Sequence, residues 1–181
     1  MEHEVVFAGF GGQGVLLAGR LLVYAGMLAG KEVSWMPAYG PEMRGGTASC
    51  STVISDEPVG CPVVTRPSAL VVMNEPSLVR FERTVRPGGV LIINSSLIKQ
   101  KATRDDIRAY YVPMNDLAES CGDLQLANMV ALGALVAVTR AVPDAFLPQA
   151  IATYFAGKPE MAKKEVQAVA LGSGYVAAAI R

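Results

Sequence analysis

The stretch that most constrains this chain is Val5-Val6-Phe7-Ala8, which runs into Gly9-Phe10-Gly11-Gly12-Gln13-Gly14 and then into the apolar segment Val15–Ala29. An apolar run, a glycine-rich turn and a long apolar segment predict strand, tight turn and helix, the context in which G-x-G-x-x-G carries meaning. Glycine accepts positive φ and lets a backbone or a phosphate come close. The amides of residues 11 to 15 are expected to point outward at the positive end of the helix dipole, where an anion is favoured. The same glycines would serve plain packing of the helix on its sheet, and the motif by itself leaves both roles open. Within the helix only Arg20 is charged. A helix apolar on nearly every face is buried in a core or against a partner.

Lys31–Met36 reads as a second strand. A dinucleotide site requires Asp or Glu near its end to hold the ribose hydroxyls. Ser34, Trp35 and Met36 stand there instead and Glu32 comes too early, so NAD and FAD are discounted. Pro37–Gly46 follows, a constrained loop that displays Tyr39, Glu42 and Arg44 and closes with Gly45 and Gly46. Loops after strand ends are where α/β sheets place ligands, and an arginine there suits a carboxylate or a phosphate. A plain connector, with Arg44 in solvent or paired to Glu42, is the alternative.

Thr47–Ser55 is a strand of small and β-branched residues, which suggests close approach by another backbone. Asp56-Glu57-Pro58 predicts a turn with Val59–Val64 returning as a hairpin. Ala69–Asn74 and Val90–Asn94 are continuous apolar strands, as expected where both faces are covered. A short helix is expected from Asn74 to about Arg83, with Pro76 in its first turn. The cluster Asn94-Ser95-Ser96 fits a ligand contact and a cap equally well. Tyr110–Met114 is an edge strand, since Pro113 disfavours a central place. Asn115-Asp116 predicts a cap for a helix over Leu117–Cys121. A long helix is expected over Gln125–Thr139 and two shorter ones over Ala145–Phe155 and Pro159–Leu171, with Gly172-Ser173-Gly174 interrupting the last. Asn128 reads as a core hydrogen-bonding residue. The alternation predicts a single α/β domain over residues 1–181. Its sheet is Rossmann-like, open, mixed and mainly parallel, with helices on both faces and one β-hairpin.

Composition narrows the function. The 181 residues are 51% hydrophobic and 18% charged, more apolar than a small monomer needs, so a large buried interface is expected and the isolated chain is expected to self-associate. Sixteen basic and sixteen acidic residues give zero net charge with no basic stripe, which excludes nucleic acid. Three dispersed cysteines (Cys50, Cys61, Cys121) and one histidine, His3, offer no zinc or iron–sulfur ligand set from this chain alone. They fit a reducing compartment better than a disulfide scaffold. The polar start, Met-Glu-His-Glu, lacks a signal-peptide pattern, and Val15–Gly30 is short of a membrane span, so a cytoplasmic location and no membrane partner are expected. No H-E-x-x-H, G-x-S-x-G, Walker A lysine or thiamine-type G-D-G…N motif is present. Cys50 reads as a buried small hydrophobe, because no histidine is available to activate it. Ligand-like loops without an acid, base or cofactor motif suggest one part of a larger machine.

The two glycine stretches together, Gly9–Val15 and Tyr39–Gly46, resemble the gamma subunit or gamma domain of 2-oxoacid:ferredoxin oxidoreductases. The resemblance continues through Ile54–Pro58, Val72-Met73-Asn74, Pro87-Gly88-Gly89, Asn94-Ser95-Ser96 and Asn128–Gly133. It implies oxidative decarboxylation of a 2-oxoacid with coenzyme A to an acyl-CoA, carbon dioxide and reduced ferredoxin. It also implies that alpha and beta subunits hold thiamine diphosphate and Mg2+, and that a ferredoxin-like delta subunit holds iron–sulfur clusters. This chain would then be a scaffold without catalytic residues. On that resemblance Gly11, Gly12, Gln13, Gly14 and Arg44 are candidate contacts to CoA or the shared site, and Tyr39, Glu42, Gly45 and Gly46 form a substrate loop. A chain of this size resembles the 2-oxoglutarate and branched-chain enzymes more than the fused pyruvate form. We expect 2-oxoglutarate, with branched-chain, pyruvate and indolepyruvate enzymes or a stand-alone CoA or nucleotide-binding module as alternatives.

Overall fold

The computed structural model describes residues 1–39 and 46–179. Strand β1 (Glu2–Phe10) leads through the glycine turn into α1 (Val15–Leu28), followed by β2 (Glu32–Tyr39) and β3 (Thr47–Ser55). Then come β4 (Ala69–Val72), α2 (Glu75–Phe81), β5 (Val90–Asn94) and β6 (Arg108–Val112). Four helices follow: α3 (Met114–Ser120), α4 (Ala127–Thr139), α5 (Phe146–Tyr154) and α6 (Pro159–Ala179). The sheet runs β2-β3-β1-β4-β5-β6. β1, β4, β5 and β6 are mutually parallel, and β3 lies antiparallel to both β1 and β2.

Alternation along β1 divides the core. Val5 and Phe7 join one cluster with Leu21 and Leu22 of α1, Met129 and Leu132 of α4, Leu147 of α5 and Ala168 of α6. Val6 and Ala8 face the other side, where Leu78 of α2 packs with Val85, Ile98 and Ile107. Every residue of β4 and β5 is buried, as their unbroken apolar runs require. β6 is an edge strand and Pro113 follows it directly.

Three expectations are corrected. The hairpin joins β2 to β3, with Tyr39 opposite Ala48 and Glu32 opposite Ser55. Residues 59–64 form no strand. Both edges of β3 are already taken by β1 and β2, and Pro62 lacks an amide to donate. Second, Gly172-Ser173-Gly174 does not interrupt α6, which is continuous to Ala179. A Cβ on Gly172 would fall on the Val130 carbonyl, and one on Gly133 on the Val169 carbonyl. These glycines therefore let the backbones of α4 and α6 touch. Third, Asn115 and Asp116 do not cap α3, which starts one residue earlier behind Pro113. Asn115 Oδ1 instead accepts a hydrogen bond from Asn94 Nδ2 at 2.7 Å, tying α3 to the end of β5.

Candidate functional site

The glycine turn is built by side chains that hold it from below. Gly12 (φ 100°) and Gly14 (φ 73°) take left-handed conformations, and Gly14 leads directly into α1. Gln13 folds inward. Its Oε1 accepts from Phe10 N (2.7 Å) and Asn74 Nδ2 (3.0 Å), and its Nε2 donates to Met73 O (3.3 Å). Asn74 also caps α2, its Oδ1 accepting from Ser77 N at 2.9 Å. Gly9 leaves room for this arrangement, since a Cβ there would lie 2.7 Å from Gln13 Oε1. From α4, buried Asn128 donates Nδ2 to Gly14 O at 3.1 Å. Any Cβ on Gly14 would strike its carboxamide. The sequence pointed to Asn128 as a hydrogen-bonding core residue, and that is its role.

Not all of the turn's amides face outward. Gly11 N donates to Gly46 O at 3.0 Å and Gln13 N to Phe10 O at 3.1 Å. The first of these bonds joins the end of the second glycine stretch to the first. The result is a groove of about 360 Å³ lined by Phe10, Gly11, Gly12, Gly14, Val15, Leu16, Leu17, Tyr39, Gly46, Thr47 and Ala48. Among the described residues no ionisable group other than the Tyr39 phenol lines it. Tyr39 is two-thirds exposed at its rim. Glu42, Arg44 and Gly45 lie outside the described residues.

On the other side of the turn, toward β4 and β5, a smaller crevice of about 160 Å³ is lined by Gly12, Gln13, Met73, Asn115, Leu124, Gln125 and Ala127. Asn94 is buried completely behind Asn115 and supports it, so it neither caps a helix with its side chain nor opens onto a cavity. Asn74 and Asn115 are polar members of this region that the sequence suggested only as a helix start and a helix cap. Their position at the carboxyl ends of parallel strands is the signal that could have marked them.

Cys50 lies beneath α1 with its thiol directed at Val15 O (3.4 Å), where a Cβ on Gly19 would collide with it. Burial pushes this thiol up to about 12, so it is no nucleophile at neutral pH. Among the described residues no three His, Cys, Asp or Glu side chains gather as a metal-ligand set, and the three cysteines do not pair. Among the described residues no helix is long and apolar enough to cross a membrane.

Residues 4–175 match the pyruvate ferredoxin/flavodoxin oxidoreductase family. The chain belongs to this family. It is 39% identical over 175 residues to the ketoisovalerate oxidoreductase subunit VorA of Methanothermobacter thermautotrophicus, covering 96% of this chain and 36% of that one. It is 36% identical over 154 residues to the 2-oxoglutarate synthase subunit KorC of Methanocaldococcus jannaschii, covering 83% and 82%. The chain thus spans about a third of the length of its ketoisovalerate relative and most of the length of its 2-oxoglutarate relative. Among solved structures, the gamma subunit of a keto/oxoacid ferredoxin oxidoreductase from Geobacter sulfurreducens superposes with a TM-score of 0.84 at 28% identity, covering 97% of this chain and 99% of that one. Within the pyruvate ferredoxin/flavodoxin oxidoreductase family the sheet order and helix layers described above are those of a gamma-subunit fold.

Proposed function

We propose that this chain is the gamma-type subunit of a 2-oxoacid:ferredoxin oxidoreductase and turns over no substrate alone. Its alpha and beta partners hold thiamine diphosphate and Mg2+ and decarboxylate a 2-oxoacid. CoA takes the acyl group, and the electrons leave through a ferredoxin-like delta subunit to ferredoxin, in the cytoplasm. The observation that carries this reading is the groove where the two glycine stretches meet. It places a helix N-terminus beside an apolar trough whose described lining carries no ionisable group other than the Tyr39 phenol, so it is suited to orient a ligand whose chemistry is done elsewhere.

We assign a CoA phosphate to Gly12, Gly14 and the first turn of α1, with Arg44 as the neutralising cation and Tyr39 at the rim. Gln13 acts through the turn it holds. The relatives named for ketoisovalerate and for 2-oxoglutarate stand at nearly equal identity. The substrate is therefore assigned to the partner subunits' pocket, with 2-oxoglutarate the first to test and the branched-chain 2-oxoacids next. The experiment is co-expression with the alpha, beta and delta partners and assay of 2-oxoacid-dependent, CoA-dependent dye or ferredoxin reduction. The assembled complex is expected to be active and the isolated chain silent. Arg44→Ala is expected to raise KM for CoA and leave KM for the 2-oxoacid unchanged. Turnover by the isolated chain, or full CoA-dependent activity of the partners without it, would overturn the assignment.

A further inference from the structure

We infer that the cavity at the amino end of the sheet, between the start of β1 and the end of α4, binds a small tetrahedral oxyanion of the phosphate class between His3, Lys31 and Arg140. The site is separate from the groove at the glycine turn. His3 and Phe10 stand at opposite ends of β1, roughly 23 Å apart at the rise of an extended strand.

The cavity has a volume of about 240 Å³. Its lining carries the Met1 amine, His3, Lys31, Asp56 and Arg140 over an apolar floor that includes Ile54. Alternation explains who faces it. His3 shares a face of β1 with Val5 and Phe7, and Lys31 precedes a strand whose Val33 and Trp35 pack on that same core. Glu2 and Glu32 fall on the opposite face by the same rule, and neither lines the cavity.

The charges inside do not balance. Asp56 serves two cations at once, its Oδ2 accepting from the Met1 amine at 2.5 Å and its Oδ1 from Lys31 Nζ. Arg140 gives Nη1 to exposed Asp144 at 3.1 Å, and the rest of its guanidinium has no partner among the described residues. His3, the one histidine of the chain, is half-buried and makes no side-chain hydrogen bond among those residues. Burial and the charges of Arg86, the amine and Lys31 hold its imidazole below its ordinary value, against the opposing pull of Asp56. Four cationic groups and a neutral imidazole thus meet two carboxylates, and a dianion fills that gap.

The backbone of Arg140 is an independent observation. It ends α4 at φ 55° and is the one residue other than glycine with positive φ among the described residues. A left-handed helix end ordinarily takes glycine or asparagine, because a larger side chain is strained there. A strained residue retained at such a place points to a use for its side chain, and this side chain lines the cavity. Guanidinium, ammonium and imidazolium then offer N–H donors from three separate segments, an arrangement suited to a tetrahedral anion.

The test uses the untagged full chain, in which the single histidine gives a single imidazole Hε1 resonance in proton NMR. Sulfate is the probe because it stays a dianion from pH 5.5 to pH 8. At ionic strength held constant with chloride, sulfate should shift that resonance with half-saturation near about 5 mM. It should also move the titration of the resonance to higher pH, since a bound dianion favours imidazolium. By the same linkage, sulfate should bind about ten-fold more tightly at pH 5.5 than at pH 8. His3→Gln should abolish this pH dependence in calorimetry. Arg140→Gly should weaken sulfate about ten-fold while leaving Tm at or above that of the parent, because glycine relieves the left-handed turn. Inorganic phosphate and glycerol 3-phosphate should both displace sulfate. Equal displacement assigns the free ion, and tighter displacement by the ester assigns a phosphorylated small molecule. An imidazole titration that responds to sulfate no more than to chloride would overturn the site, as would undiminished binding in Arg140→Gly. Displacement by succinate as effective as that by phosphate would overturn the tetrahedral assignment.

Discussion

Glu165 provides a prediction whose size follows from its surroundings. It lies on α6 with about 5% of its surface exposed, and its Oε2 is buried without a hydrogen-bond partner. Burial raises this carboxyl from 4.5 to about 7, and the negative charge of Asp123 adds to the rise. The folded state therefore holds the proton more tightly than the unfolded chain does. Between pH 4.5 and 7 the folded state binds more protons, so stability falls as pH rises through that window. The full shift corresponds to about 3.4 kcal/mol at 1.36 kcal/mol per unit, and partial access of water to the carboxyl reduces this to about 2–3 kcal/mol. Glu165→Gln keeps the shape and removes the titration. It should match the parent at pH 4.5 and exceed it by about 2–3 kcal/mol at pH 8, or roughly 5–10 °C in Tm for a chain of this length. Thermal or urea unfolding of both proteins at half-unit pH steps measures the difference. A gap between variant and parent that is the same at pH 4.5 and pH 8 would refute the reasoning.

Three further outcomes are expected. Gly172→Ala should lower stability by about 2–3 kcal/mol in urea unfolding. Its Cβ falls on the Val130 carbonyl, and a backbone overlap outweighs the roughly 1 kcal/mol that alanine gains in helix propensity. Gln13→Ala should cost about 2 kcal/mol by stranding Phe10 N and Asn74 Nδ2, and should raise KM for CoA in the complex because the turn loses its brace. In alkylation at pH 8 followed by mass spectrometry, exposed Cys61 should be modified in the native protein and Cys50 only after denaturation.

The parts of the fold legible in the sequence were those set by local pattern. β4 and β5 announce themselves as unbroken apolar runs, and Asn74-Glu75-Pro76 marks a helix start through a first-turn proline. Partner choice between strands was not legible. Residues 59–64 have a return strand's composition, but the edge of β3 they would need is occupied by β2, which comes earlier in the chain. Local propensity likewise misjudged Gly172, which looks like a helix breaker until α4 is laid across it. At the site, the glycine motifs were visible as motifs. That Gln13 turns inward depends on Asn74, some sixty residues away, and that Gly14 must lack a side chain depends on Asn128. Neither contact has a signature in local sequence.

The antiparallel insertion of β3 between β2 and β1 has a geometric consequence for what the turn can recognise. In a dinucleotide fold the strand that follows the first helix lies next to β1, so an acid at its tip hangs over the turn and grips a ribose. Here that strand is displaced by one full strand spacing, to roughly 10 Å from β1. A carboxylate at the tip of β2 would fall short of the turn, whereas the longer side chain of Tyr39, at that tip, joins the lining of the groove. The turn is thus kept while the sugar-reading post is moved out of range, and the space between them opens into the largely apolar trough that runs from Phe10 to Tyr39.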